Sequence, residues 1–209
     1  MSEAMQVEIL HARDIPAGFL QVRSYQLRHS LFAGGLSEPI QRECLQGLGA
    51  ASVLLYDPKR DQVALLEQFR IGAYVGSAGV AKQAWLLEPV GGHIGQGETP
   101  EQVARRESIE EAGAQLQELI PICSFWVSPG LSDEQIHLYC GLIDAAHLGG
   151  IHGLEHEHED IRVSLMPAEQ AIAELYSGRA NSTSIIIALQ WLAMNRQGLR
   201  AISARIDVP

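Results

Sequence analysis

Lysine is nearly missing from this chain: Lys59 and Lys82 are the two in 209 residues, so arginine supplies almost all of the positive charge. Cations are scarce altogether, with 15 Lys and Arg against 25 Asp and Glu and a formal net charge of -10. Such a balance opposes non-specific attraction to a phosphate backbone and argues against a nucleic-acid partner. Any phosphate must be held locally, by a few arginines or by bound cations. Cysteine is scarce too. Cys44, Cys123 and Cys140 are odd in number and far apart, which predicts no disulfide framework, a reducing cytoplasmic setting and three buried apolar thiols. No apolar run reaches the roughly 18 residues that a membrane helix needs. The first residues, MSEAMQVEIL, lack the basic start and apolar body of a signal peptide. No Gly-x-Ser-x-Gly element, Walker A sequence or dinucleotide glycine spacing occurs.

What is there divides unevenly. The first 45 residues carry short stretches broken by Pro16, Gly34, Gly35 and Pro39, with partial alternation over Phe19–Leu27. They predict a small β-rich region, 1–45, ahead of a main domain, 46–209. In the main domain, 49–56 and 62–70 read as strands joined by the turn Asp57–Asp61. Residues 72–83 read as an exposed Gly/Ala/Ser-rich connection, 84–90 as a strand and 91–98 as a glycine-rich loop. Thr99, Pro100 and Gln102 make a capping box with proline at the first helical position, and Gly113 ends the helix, which predicts a helix over 100–112. Strands follow over 119–127, 135–144 and 161–166, then helices over 167–176 and 182–195.

The helix 100–112 breaks local rules. Glu107 and Glu111 are four residues apart and Glu110 is three after Glu107, so three carboxylates share a face at a cost of about 0.2–0.5 kcal/mol per like-charge pair. Its apolar residues Val103, Ala104, Ile109 and Ala112 form no clean stripe. A solvated acidic face is one reading. The other is a cation site: a glycine loop brings backbone close to a ligand, and hard cations such as Mg²⁺ take carboxylates, waters and substrate phosphates.

Gly92, Glu98, Arg106-Glu107, Glu110-Glu111 and Gly113, at their spacings, resemble the Nudix box, a loop–helix–loop unit that binds Mg²⁺ and hydrolyses nucleoside diphosphates linked to another moiety. Ser108 stands where that box usually has an apolar residue. Glu88 to Gly91, Ser128-Pro129-Gly130 with Ser132 and Glu134, and the stretch from Gly150 to Val163 are similar to the ADP-ribose pyrophosphatase branch, with Pro129 about 15 residues beyond the box. The resemblance runs from about Gly18 to Ala201. It implies an α/β Nudix fold, a mixed β-sheet sandwiched between helices, with the box helix on one face and the 182–195 helix on the other.

It further implies Mg²⁺-dependent hydrolysis of ADP-ribose to AMP and ribose 5-phosphate, with Mn²⁺ as a substitute cation. Glu107, Glu111 and the Gly91 carbonyl would ligate metal. Glu157 would activate water and Glu159 would add a ligand. Arg42 and Arg70 would hold the diphosphate or adenosine end, with Phe19 and Leu20 packing on adenine. His93, Ser128, Pro129, Gly130 and Glu134 would line the terminal ribose. A homodimer paired through the N-terminal region is implied as well. Other nucleoside diphosphate sugars, such as ADP-glucose or GDP-mannose, and a non-catalytic ADP-ribose sensor remain as alternatives. The loop Glu155-His156-Glu157-His158-Glu159-Asp160 is open to three readings: a mobile loop bearing the water-activating carboxylate, a zinc or nickel site, or a solvated acidic loop.

Overall fold

Residues 5–18, 20–47 and 49–206 are described by a computed structural model, with 202–206 as backbone alone. Phe19 lies outside the described residues. The chain divides into two compact units, one formed by the N-terminal segment to Gly49 with 126–135, the other by 50–125 with 136 onward.

In the first unit, β1 (Val7–Ile15), β2 (Val22–His29) and β3 (Ile40–Leu45) form an antiparallel meander in the order β1-β2-β3. Strand β3 at 40–45 has no counterpart among the strands the sequence predicts. Its alternation is of polar residues, and pairing with β2, not burial, sets its register: Tyr25 lies opposite Arg42. The segment 31–36 is a turn closed by the bridge between Ser30 and Leu36.

The second unit is built on β4 (Gly49–Asp57) and β5 (Gln62–Phe69). Their side chains alternate between two cores, as a period of two residues requires. Ala51, Val53, Leu55, Ala64 and Leu66 pack with Val103, Ala104 and Ala112 of α2 (Pro100–Ala112). Leu54, Tyr56, Val63 and Leu65 pack on the other face with Ala168 and Ala171 of α3 (Ala168–Ser177) and Ile185, Ala188, Leu189 and Leu192 of α4 (Thr183–Ile206). Both faces of these strands are therefore buried, which explains their continuous hydrophobic runs. The sheet between two helical layers is the α/β arrangement expected.

Near their shared turn β4 and β5 pair with each other, Leu55 opposite Ala64. Further along each takes another partner. β5 pairs with β6 (Trp85–Glu88), and β4 pairs with β7 (Val90–His93). Gly91 and Gly92 thus lie in a strand opposite Ser52 and Ala51, where the sequence predicted loop. Two glycines give no side-chain alternation to read. The Ser52 hydroxyl donates to the Val90 carbonyl at 2.9 Å and ties this strand down. Among the described residues the remaining order is β10 (Gly150–His152), β11 (Ile161–Pro167), β5, β4, β9 (Gln135–Leu142), β8 (Glu118–Trp126).

Residues 71–83 hold more structure than their composition predicts. α1 (Ile71–Gly76) is a short helix that buries none of its residues, and a 3-10 turn follows at Ala81–Gln83. Glycine and alanine masked it, since six residues are too few for a periodic signal. α4 runs past the predicted Asn195 to Ile206. Of the cysteines Cys140 is buried as expected, but Cys44 is half-buried and Cys123 exposed. Both of these belong to strands with a solvent-facing side.

Candidate active site

Local sequence fixes α2. Thr99 accepts from the Gln102 N–H at 3.3 Å while the Gln102 side chain accepts from the Thr99 N–H at 2.8 Å, the reciprocal capping box. Gly113 closes the other end with φ of 63°, a left-handed conformation that favours glycine. Ser108 is fully buried against the sheet, and its hydroxyl donates to the Ala104 carbonyl at 2.7 Å. That bond satisfies the hydroxyl inside the core and lets serine stand where the box usually has an apolar residue. Ile109, an apolar member of the helix, faces out at 54% exposure. The side of α2 turned to the sheet carries Val103, Ala104, Ser108, Glu111 and Ala112. One carboxylate is therefore placed in the core layer.

That carboxylate, Glu111, is 2% exposed and accepts from the Gly91 N–H at 2.9 Å. Burial drives its pKa up to about 8, and the carboxylates of Glu107 and Glu159 push in the same direction; the Gly91 bond and Arg70 oppose them. Glu107 is also held above the usual carboxylate range, by burial first, with Glu110 and Glu159 adding to it against Arg106. The buried Glu111 and the half-buried Glu107 and Glu159 thus repel one another where water screens them only in part. Gly92 is what lets Glu107 enter: a Cβ there would lie 1.9 Å from Glu107 Oε1.

Arg106 organises the outer rim. Its guanidinium donates to Glu107 at 2.7 Å, Glu110 at 2.9 Å and Glu98 at 3.1 Å. Glu98 in turn accepts from the Gly95 N–H at 2.9 Å, which pins the loop ahead of the helix. Arg106 and that amide hold Glu98 below its ordinary pKa. So the box glutamates divide by role. Glu98 and Glu110 serve the arginine clamp, Glu107 both joins that clamp and has a raised pKa, and Glu111 lies inward with no arginine bond among the described residues.

The remaining candidates in this unit lie as follows. Glu159 accepts from the Leu154 N–H at 3.1 Å, which folds its loop back on itself. Glu157 ends the 3-10 turn Glu155–Glu157, with its side chain 55% exposed and His156 Nε2 3.6 Å away. Arg70 donates to Glu88 at 2.8 Å. Glu88 is pushed up by burial, with Arg70 opposing. No local signal assigns Glu88 a role; its pairing with Arg70, the residue after β5, arises from the β5–β6 register, which brings together residues 18 apart. His93 ends β7 and is exposed.

In the first unit, Arg42 on β3 is exposed and donates to the Gln41 carbonyl at 2.8 Å. Leu20 is 48% exposed. Ser128 accepts from the N–H groups of Leu131 and Ser132 through its carbonyl, forming the turn that carries Pro129 and Gly130. The Glu134 carbonyl accepts from the Val127 N–H at 3.0 Å, and its own N–H donates to Ser132 Oγ.

The inward carboxylates fit a hard divalent cation. Their mutual repulsion is what such an ion relieves, and their oxygens are its preferred donors. Among the described residues no three acidic, histidine or cysteine side chains converge closely enough to enclose an ion alone. A cation that keeps waters and recruits substrate phosphates needs no such cage. The Gly91 contact with Glu111 runs through the N–H.

The loop, the capped helix and its inward glutamates define a class, and comparison with known proteins bears it out. Residues 48–186 match the NUDIX domain, and the chain belongs to that family. The ADP-ribose pyrophosphatase of Haemophilus influenzae is 44% identical over 189 residues, covering 90% of this chain and 87% of that protein. The ADP-ribose pyrophosphatase of Escherichia coli K12 is 43% identical over 194 residues, covering 93% and 91%. A GDP-mannose pyrophosphatase of Shigella flexneri is 30% identical over 158 residues, covering 74% and 78%. A crystal structure of an ADP compounds hydrolase shares the fold, with a TM-score of 0.67 over 93% of this chain and 98% of that one at 18% identity.

Proposed function

We propose that this protein hydrolyses ADP-ribose to AMP and ribose 5-phosphate with Mg²⁺, Mn²⁺ serving as a substitute. The observation that carries the reading is Glu111, buried at 2% exposure and pushed to about 8 beside Glu107 and Glu159, in a chain 44% identical to an ADP-ribose pyrophosphatase. A buried carboxylate cluster that costs stability has a reason to persist when a cation binds there.

Glu107 and Glu111 would hold the cation, with Glu159 and the backbone at Gly91 beside them. When bound, the cation neutralises the diphosphate oxygens and lowers the pKa of water. Glu157 takes the proton from the attacking water. Its exposed position on a loop suits a group that reaches in only when substrate is present. Arg106 keeps Glu107 oriented. Arg70 and Arg42 receive the anionic substrate, which a chain of net charge -10 would otherwise repel. Leu20 and Phe19 pack on the base, and His93, Ser128 to Gly130 and Glu134 receive the terminal ribose.

We read the protein as a homodimer without nucleic-acid or membrane partners, working in the cytoplasm. The exposed apolar side chains Val7 and Ile9 of β1 support pairing through the N-terminal region, and three free cysteines suit a reducing compartment. No described helix is long and apolar enough to cross a membrane. Similarity to a GDP-mannose pyrophosphatase favours a second reading, in which another nucleoside diphosphate sugar is the substrate and the chemistry is the same. Purified protein given Mg²⁺ and a panel of nucleotides, with products separated by chromatography, decides between them. AMP and ribose 5-phosphate from ADP-ribose, lost on chelation, is the expected result. Preferential cleavage of GDP-mannose would move the substrate, and no cleavage of any member would refute the reading.

A further inference from the structure

On the sheet face opposite α2 lies a cleft of about 960 Å³, at the upper end of the size range of small-molecule sites. Alternation places it there. Ile161 and Val163 point into the α2-side core, so Arg162 between them points away, and Glu67 follows Leu66 in the same way. We propose that this cleft is a second site, separate from the carboxylate cluster, and that it recognises a phosphate group, as free phosphate or as a phosphate monoester.

Three cations line it: Lys82 from the 3-10 turn, Arg162 from β11, and Arg179 from the turn after α3. Among the described residues Glu67 is the one acidic side chain in the lining, and it pairs with both Arg162 and Arg179. A single carboxylate thus holds two guanidinium groups side by side and neutralises one of them. Lys82 has no ion pair among the described residues. The lining carries a net charge of about +2 in a chain of net charge -10, and one of its two lysines is spent here. A dianion matches that surplus. Guanidinium forks already oriented by a carboxylate lose little freedom on taking a planar pair of phosphate oxygens. Asn181 adds a neutral donor. Trp85, 49% exposed and braced edge-on by Phe69 at 5.5 Å, gives the cleft a flat apolar wall beside the cations. That wall suits the base or sugar of a phosphate monoester.

The test uses the full chain carrying Glu111→Gln, with chelator present so that no metal-assisted binding occurs at the carboxylates. Inorganic phosphate and AMP are titrated in turn, in low salt, by calorimetry. The expected result is saturable binding, weakened about tenfold or more by Lys82→Ala and by Arg162→Gln. Lys82 is exposed and holds no ion pair among the described residues, so its variant folds even if Arg162→Gln disturbs the Glu67 cluster. Lys82→Ala in the otherwise native protein keeps ADP-ribose turnover, since it stands apart from the carboxylates. Tighter binding of AMP than of phosphate, with the difference lost in Trp85→Ala, assigns the monoester; equal binding assigns free phosphate. Absence of saturable binding to both, or binding unchanged by Lys82→Ala and Arg162→Gln, overturns the proposal.

Discussion

Replacing Glu111 by glutamine should make the metal-free protein more stable while removing its response to Mg²⁺. Glutamine keeps the acceptor for the Gly91 N–H and cannot ionise. In the native chain the carboxyl has a folded pKa of about 8 against an ordinary 4.5. Unfolded chain therefore releases this proton above pH 4.5, while folded chain retains it to about pH 8. The sign follows: the group costs nothing below pH 4.5, and stability falls as pH rises through the window to about 8. At pH 7 the cost is about 3 kcal/mol. For a domain of this size that is on the order of 10 °C in midpoint. The assay is thermal unfolding of both proteins in chelator at pH 4, 5.5, 7 and 8. The gap should be near zero at pH 4 and widen with pH. Added Mg²⁺ at about 100 times its dissociation constant should raise the native midpoint by roughly 2.7 kcal/mol equivalent and leave the variant unmoved. A gap that does not depend on pH, or a glutamine variant less stable at pH 7, would refute the assignment of Glu111 as a buried, frustrated carboxylate.

Further expectations concern its neighbours. Gly92→Ala would drive a Cβ into Glu107 and displace that side chain, so turnover should fall about 100-fold with the fold retained by circular dichroism. Arg106→Met frees Glu98, Glu107 and Glu110 at once; Mg²⁺ affinity measured by titration should weaken about 10- to 100-fold. Glu157→Gln should leave the unfolding midpoint within the scatter of surface changes, about 0.5 kcal/mol, and lower kcat by at least 100-fold, because its side chain is exposed. Glu159→Gln keeps an acceptor for the Leu154 N–H but removes a charge that repels Glu107 and Glu111, so it should raise the metal-free midpoint. A kcat loss far larger for Glu159→Gln than for Glu157→Gln would exchange these roles. Ser108→Leu should cost about 1–3 kcal/mol by overpacking a fully buried position, read from urea midpoints.

The sequence by itself determined the elements whose signals are local. The capping box at Thr99, Pro100 and Gln102 and the glycine at 113 bounded α2 to the residue, since caps act within one turn. Continuous apolar runs marked β4 and β5, because both their faces are buried. Spacing put Glu107, Glu110 and Glu111 on one helix face, and the resemblance to the Nudix box singled out Glu107 and Glu111. Tertiary structure decided what spacing could not carry. Four glutamates of the box and its loop look alike in sequence, yet the sheet buries Glu111 while Arg106 bonds Glu98, Glu107 and Glu110. Strand β7 is two glycines and two neighbours whose pairing exists only because β4 parts from β5. Arg162, Arg179 and Glu67 are up to 112 residues apart, and adjacency of β11 and β5 joins them. Local physics writes caps and periodicity into the chain; desolvation and cross-strand register arise only when distant segments meet.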